Sequence, residues 1–400
     1  LVDSINILVI QALSALAAGG AILCSQYVGS ENTQEANRSA GQVLLVMAAL
    51  STALSVICLV LRDPMLRLIF GKVDADVMSN SRTYFLFTLL SFPFIGLYDA
   101  GASIFRAQNN TRTPMVISVI SNLMNIAGNA VLIFGFDMGV AGAAISTLVS
   151  RIFCAIVVLW QLRSPLQPIS VRYYAKIRPD FSLIRRVLLI GVPSGIENSM
   201  FQFGKLAIQS TVSTLGTAAI AAQAMTNILE ALNGVAAMGV GIGLMTVVGQ
   251  CIGANRKDEA VYYIKKLSWL AEIVIIVCCL FVLAITKPIT VIGGMEAESA
   301  KLCFQMVVFI TITKPISWVL SFIPAYGMRA AGDVKFSMIT SCLSMWLCRV
   351  SLCIFLCRAL GFGPIAVWIG MFADWSVRAV VFSWRFHSRK WLNHKVIENK

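Results

Sequence analysis

Apolar residues fill eleven stretches of this chain, at 5–28, 40–61, 81–105, 114–135, 139–162, 184–212, 217–250, 264–286, 301–328, 336–357 and 363–385. Each is continuous rather than alternating, and each reaches the about 20 residues that an α-helix needs to cross about 30 Å of hydrocarbon. Segments of this kind joined by short connections can satisfy their backbone N–H and C=O groups in lipid only as helices. The pattern therefore predicts an all-α, polytopic membrane protein. One long polar stretch, RSPLQPISVRYYAKIRPDFSLIRR at 163–186, interrupts it and reads as a central linker.

Composition agrees with lipid as the main solvent. The chain is 58% hydrophobic and 13% charged, with a mean hydropathy of +0.80, whereas soluble domains average about 25% charged residues. A net charge of +13 would point to nucleic acid in a soluble protein, but here the basic residues lie between apolar runs. Topology and anionic lipid headgroups account for them there, and no nucleic-acid partner is called for. The eleven cysteines fall mostly inside the apolar runs and form no metal or redox spacing, so they are expected to serve as small packing residues, with no metal site and no cofactor.

Assigning loops alternately to the two membrane sides places twenty Lys and Arg residues on the side that holds the linker and the C-terminus. The other side holds seven: Arg62, Arg67, Lys72, Arg82, Lys287, Lys301 and Arg358. The positive-inside rule makes the first side cytoplasmic. Eleven crossings with a cytoplasmic C-terminus put residue 1 outside, which leads to the expectation that a first transmembrane helix is missing and that eleven helices are visible of twelve.

The two halves repeat. Gln26–Gly29 followed by Glu35-Ala36 matches Gln250–Gly253 followed by Glu259-Ala260, at an offset of 224. Phe105-Arg106-Ala107 matches Met328-Arg329-Ala330 at an offset of 223, and the GVAGAAIS segment from Gly139 matches GPIAVWIG from Gly363 at 224. Matched anchors fall on the same membrane side, so the repeat is parallel, about an axis along the membrane normal. The expected organisation is two pseudo-symmetric six-helix lobes: an N-terminal lobe at 1–162 with five visible helices, a cytoplasmic linker at 163–183, a C-terminal lobe at 184–386 and a cytoplasmic tail at 387–400. The run at 184–212 has no partner in the first half, which agrees with the missing helix.

The order of these motifs resembles the multidrug and toxic compound extrusion (MATE) family, bacterial type: a Gly-rich helix ending in QYVG, the GSENTQEA loop, FRAQNNTRTP and GVAGAAIS. The second half repeats them as GVPSGIEN, VGQCIGANRKDEA, MRAAGDVKFSM and FADWSVRAVVF. The resemblance spans nearly the whole chain. It implies a monomeric secondary antiporter of the cell membrane that exports organic, often cationic, compounds by alternating access, driven by H+ or Na+. It carries over no residue roles. Sodium-coupled members resemble one another in an acid on the tenth helix, where this chain has Ser317-Trp318, and proton-coupled members place an aspartate on the first helix.

Candidate site residues therefore come from helical phase, because charged and amide side chains within spans tend to face a cavity or one another. On 184–212, Glu197 and Lys205 are joined by Asn198, Gln202 and Gln209 in a polar stripe. Glu197 is the first candidate for the coupling ion, against the alternative that it and Lys205 only hold helices together. Gln223, Asn227 and Glu230 share a face of the next run. Asp374 and Arg378 are one turn apart and can form a structural clasp, with Lys314 a partner for one of the carboxylates. In the first half, Asn122, Asn125 and Asn129 share a face near Asp99 and Arg151, where interhelical glue competes with a cation site. Pro93, Pro193, Pro315 and Pro324 mark kink points. A lipid or lipid-linked sugar flippase of related design remains the alternative function. An enzyme is not indicated: His387 and His394 both lie in the tail, and no nucleophile stands with a base.

Overall fold

A computed structural model describes residues 2–70, 75–394 and 396–397. Leu1, Lys72, Lys395 and Lys400, counted above among the termini and loop charges, lie outside them.

The apolar runs fold as α-helices: α1 (Val2–Gly29), α2 (Thr33–Val60), α3 (Arg62–Phe70), α4 (Ala75–Ala107), α5 (Arg112–Ala130), α6 (Gly139–Leu162), α7 (Phe181–Val212), α8 (Thr217–Gly253), α9 (Lys257–Ile292), α10 (Ala297–Ala330), α11 (Val334–Leu343), α12 (Ser351–Arg358) and α13 (Ile365–His387). A π-helical turn, Val131–Gly135, extends α5, and another, Ser344–Val350, joins α11 to α12 in one rod. Ten rods are long and apolar enough to cross a membrane. The 32-residue α7 is more polar.

The rod count corrects the expectation of a missing first helix. Twelve rods stand among the described residues, and the first of them, Val2–Gly29, is itself a membrane-length N-terminal span. The hydropathy count passed over α3, whose nine residues RDPMLRLIF carry three charges and are too few and too polar to register as a span.

The chain divides into two compact units, residues 1–198 and 199–398. In the first, α4 is the central helix, packed against α1, α2 and α6. Its buried Phe85, Leu89, Phe92 and Phe105 meet a core that includes Leu13, Leu23, Val43, Met47 and Val158. In the second unit α10 takes the same place among α8, α9 and α13, with Met306, Ile310, Val319 and Ile323 buried beside Val248, Ile275 and Phe382. The order α1, α2, α4, α5, α6 thus recurs as α8, α9, α10, α11 with α12, and α13, as the internal repeat requires.

The outer surfaces are apolar: Trp160, Phe134, Ile126, Trp269, Val291, Ile292 and Val380 are exposed. In water such a surface would aggregate, but against lipid tails it is matched. Van der Waals contact and close backbone approach then hold the helices together, which small residues permit. α7 uses this at its first half. A Cβ on Gly19 of α1 would lie 2.6 Å from the Gly191 backbone of α7, and one on Gly191 would lie 3.1 Å from Leu16 Cα. The side-chain amide of Asn198 donates to the Gln11 carbonyl one step along the same seam.

The linker is tied to the first unit by hydrogen bonds. The Gln42 side-chain amide donates to the Arg178 carbonyl and its oxygen accepts from the Asp180 N–H, while Arg38 pairs with Asp180 at 2.6 Å. The Tyr174 hydroxyl donates to the Leu159 carbonyl at 2.5 Å. Burial pushes this phenol up to about 12, with the Arg163 guanidinium pulling the other way, so it stays protonated at physiological pH.

We expect Gly19→Val to destabilise the protein by about 1–3 kcal/mol, the usual cost of forcing extra volume into a packed contact. The check is its thermal unfolding midpoint in detergent. A midpoint equal to wild type would contradict the close packing of α1 on α7.

Candidate functional site

Most of the charged side chains within helices gather in the second unit. Lys314, on α10 one residue before Pro315, is fully buried. Its ammonium donates to Glu230 Oε1 at 2.6 Å, to the Glu230 carbonyl at 3.3 Å and to Asn233 Oδ1, all on α8. Gly234 leaves room for it, since a Cβ there would sit 3.1 Å from the lysine nitrogen. The ammonium also lies 5.4 Å over the Trp318 ring, which stacks on Phe322 with centroids 4.8 Å apart. Three acceptors and an aromatic face satisfy a charge that would otherwise cost several kcal/mol in a dry interior.

A second group lies on α13 and the π-helical turn. Asp374 accepts a 2.6 Å hydrogen bond from the Ser344 hydroxyl and stands 4.0 Å from the Arg349 guanidinium. Arg378 donates to the Ser341 hydroxyl at 2.9 Å and spreads over the rings of Phe322 at 4.4 Å and Phe201 at 5.2 Å. The π-helical turn matters here, because widening the helix at Ser344–Val350 brings both Ser344 and Arg349 to Asp374. Such turns are rare and recur at functional places. The second half of α7 completes the group: a Cβ on Gly204 would strike Met345 at 2.3 Å, which sets the neighbouring Lys205 beside this turn. Lys205 is exposed and lies within electrostatic range of Arg349 and Glu230.

The structure thus gathers Lys205, Glu230, Lys314, Asp374 and Arg378 of the candidate residues. Asn227 lies one turn from Glu230, exposed, and accepts a hydrogen bond from Gln223. Gln202 is half-buried on α7. Asn233, Ser344 and Arg349 escaped the sequence reading. Asn233 had a legible signal, three residues beyond Glu230 on the same face of α8. Arg349 was legible as a basic residue inside the 336–357 run, but its partner was not, because that depends on the π-helical turn.

In the first unit Glu197 is buried on α7, next to Asn198 and its bond to Gln11. Asp99, on α4, is in electrostatic range of Arg106 and Arg151, and Arg151 donates to the Ser91 hydroxyl at 2.6 Å. Asn125 donates from α5 to Ser146 and Thr147 of α6 and accepts from Asn129, so it bonds across a helix pair. Asn122 is exposed. No cluster of His, Cys, Asp and Glu suited to a metal occurs among the described residues.

With two repeated helical units and charge held inside them, the sequence model of the MatE family matches residues 1–131 and 193–355. The chain belongs to that family. A MatE protein is a multi-pass membrane carrier and not an enzyme, and the family runs on ion gradients rather than on a cofactor. Among relatives, an uncharacterised transporter of Bacillus subtilis, YisQ, is 27% identical over 96% of this chain and 85% of its own length. A probable multidrug resistance protein of Thermotoga maritima, NorM, is 24% identical over 96% and 83%. Among solved structures, an outward-facing multidrug resistance MATE transporter of the MOP superfamily matches with a TM-score of 0.88 at 18% identity, over 96% of this chain and 86% of that one.

Breaking a buried ion pair from one side costs about 3–5 kcal/mol because it strands the remaining charge. We predict a loss toward the lower end of that range for Lys314→Met, since Glu230 is partly exposed, and a smaller loss for Lys314→Met with Glu230→Gln. Unfolding midpoints of the single and double variants measure the coupling. Strictly additive losses would rule out the pairing.

Proposed function

We propose that this chain is a secondary antiporter that exports organic, often cationic, compounds in exchange for H+ or Na+ by alternating access, acting as a monomer in the plasma or inner membrane. The observation that carries the reading is charge held inside membrane-length helices of a MatE carrier, where it carries a high cost. Relatives named as multidrug resistance and multidrug export proteins support the substrate class.

In this reading Glu197 holds the coupling ion. It is a buried carboxylate on α7, and Pro193, one turn earlier, gives that helix a bend point. Asp99 offers a second carboxylate beside Arg151, and Asn122, Asn125 and Asn198 line the neighbouring faces. The group around Lys314, Glu230, Asp374, Arg378, Lys205, Gln202 and Asn227 faces cargo or transmits the change of conformation. The proposed organisation is an N-terminal lobe at 1–162, a cytoplasmic linker at 163–183, a C-terminal lobe at 184–386 and a cytoplasmic tail at 387–400. The excess of Lys and Arg on the linker side supports that orientation.

Cells that express the chain fused at its C-terminus to green fluorescent protein test both parts. Bacteria carrying it should glow, since the tail is cytoplasmic. They should also retain severalfold less of a fluorescent organic cation or anion than cells carrying Glu197→Gln. Equal retention of both dyes by wild type, variant and empty vector, with the protein confirmed in the membrane, counts against export.

A further inference from the structure

The charges gathered in the second unit do not balance. Four are basic, Lys205, Lys314, Arg349 and Arg378, and two are acidic, Glu230 and Asp374. Glu272 on α9 makes no ion pair among the described residues, and Cys279 lies in electrostatic range of it and of Lys314 and Glu230. Glu230 serves Lys314, with which it makes a short contact. Asp374 is the nearest carboxylate to Arg349, at a distance of 4.0 Å that is beyond hydrogen bonding. Arg349 is 6% exposed, and its Nε meets no acceptor among the described residues. Among the described residues Lys205 makes no ion pair either, and Arg349, of its own sign, and Glu230 act on it electrostatically.

A buried guanidinium with an unmet donor is costly unless a counter-charge joins it, and the exposed Lys205 adds a second charge of the same sign within electrostatic range. Snorkelling does not remove Lys205 from the problem. The nearer end of α7 is its C-terminal end, Val212, and helical side chains lean toward the N-terminus, away from that end. The Arg349 guanidinium donates to the Met345 sulfur, and a Cβ on Gly204, the α7 neighbour of Lys205, would meet that same methionine. Like charges within electrostatic range raise each other's energy, and one anionic group within reach of both lowers both. A guanidinium with open donors and an ammonium are the pair that recognises a carboxylate, sulfonate or phosphate oxygen. Phe201, one turn before Lys205 on α7, lies with Phe322 against the Arg378 guanidinium, and these rings supply an apolar wall for the rest of such a molecule.

We propose that the face of the second unit formed by Lys205 and Arg349 binds the anionic group of an organic amphiphile. Glu230 is already engaged with Lys314, and Asp374 is held by Ser344 and stands 4.0 Å from the Arg349 guanidinium, so neither carboxylate meets the open Arg349 Nε. This inference rests on the reading of the chain as an exporter of organic compounds and narrows its cargo to molecules that carry a carboxylate, sulfonate or phosphate. The anion can arrive on a soluble solute or on a lipid headgroup, and the chemistry at Lys205 and Arg349 is the same for both.

The test uses the whole chain in phosphatidylcholine nanodiscs and two probes, a dansyl-alkyl sulfonate and the dansyl-alkylammonium of equal length. The sulfonate should bind at least tenfold more tightly than the ammonium. Lys205→Gln should weaken sulfonate binding about tenfold and strengthen ammonium binding, and Lys205→Glu should reverse the preference. Arg349→Lys, which keeps the charge, should retain more affinity than Arg349→Gln. Exposed Lys205 can be changed without opening a core, so its variants keep the test readable if the arginine variants fold poorly. Competition by added phosphatidylglycerol supports the site with a lipid as occupant, and its failure beside intact sulfonate binding supports a soluble anion. Equal affinity for the two probes, or a preference that survives Lys205→Glu, overturns the proposal. Gradient-driven transport of the ammonium with no sulfonate binding sinks this inference and spares the export reading, whereas sulfonate binding without transport of either probe does the reverse.

Discussion

A full charge placed among apolar helices needs a counter-charge or a set of dipoles within a few ångströms, and the second unit is arranged around that need. Lys314 sits on the central helix α10 and draws two residues of α8 to itself, Glu230 and Asn233. The bond ties together the two helices on which the rest of that unit packs. It also fixes Trp318, one turn along α10, beneath the ammonium and against Phe322. Phe322 in turn carries the guanidinium of Arg378, so the aromatic stack links one charged group to the other. Pro315 follows Lys314 directly, which puts the tethering charge at the point where the α10 hydrogen-bond ladder is interrupted. A change of ionic partner at Lys314 would act on a helix already free to bend there.

The first unit solves its packing with less charge. Its central helix α4 occupies the place that α10 has in the repeat, yet the position equivalent to Lys314 is Ser91, whose hydroxyl accepts from Arg151 of α6. Polar contact is present in both units, but from different helices and with different chemistry. The turn after the central helix shows the same drift. Asn110 caps the start of α5 through Thr113, whereas the matching Asp333 is held by Arg385 and His394. A duplicated scaffold has kept its helix order while the two copies took separate roles for their polar residues. An asymmetric carrier needs such division if ion and cargo are to occupy different lobes.

Much of this was legible in the sequence because hydropathy, length and repetition are properties of single segments. The long helices follow from their apolar runs, and the equivalence of the halves follows from QYVG and QCIG, FRA and MRA. The short helix α3 was not legible, since RDPMLRLIF is amphipathic, brief and charged. Glu230, Lys314, Asp374 and Arg378 were visible as costly residues within spans, but their partners were not: Lys314 and Glu230 are 84 positions apart. The partner of Arg349 stayed hidden for a different reason. A regular helix would give that arginine no reason to face Asp374, and only the π-helical turn at Ser344–Val350 does so.

The central claim is that this MatE chain couples an ion gradient to the movement of an organic molecule. Purified protein in proteoliposomes, given an imposed proton or sodium gradient in separate runs, tests it directly. One of the two gradients should drive accumulation of a charged fluorescent amphiphile against its own gradient, and dissipating that gradient with the matching ionophore should abolish it. Accumulation that is the same with and without either gradient, or absent from correctly folded protein under both, would contradict the account.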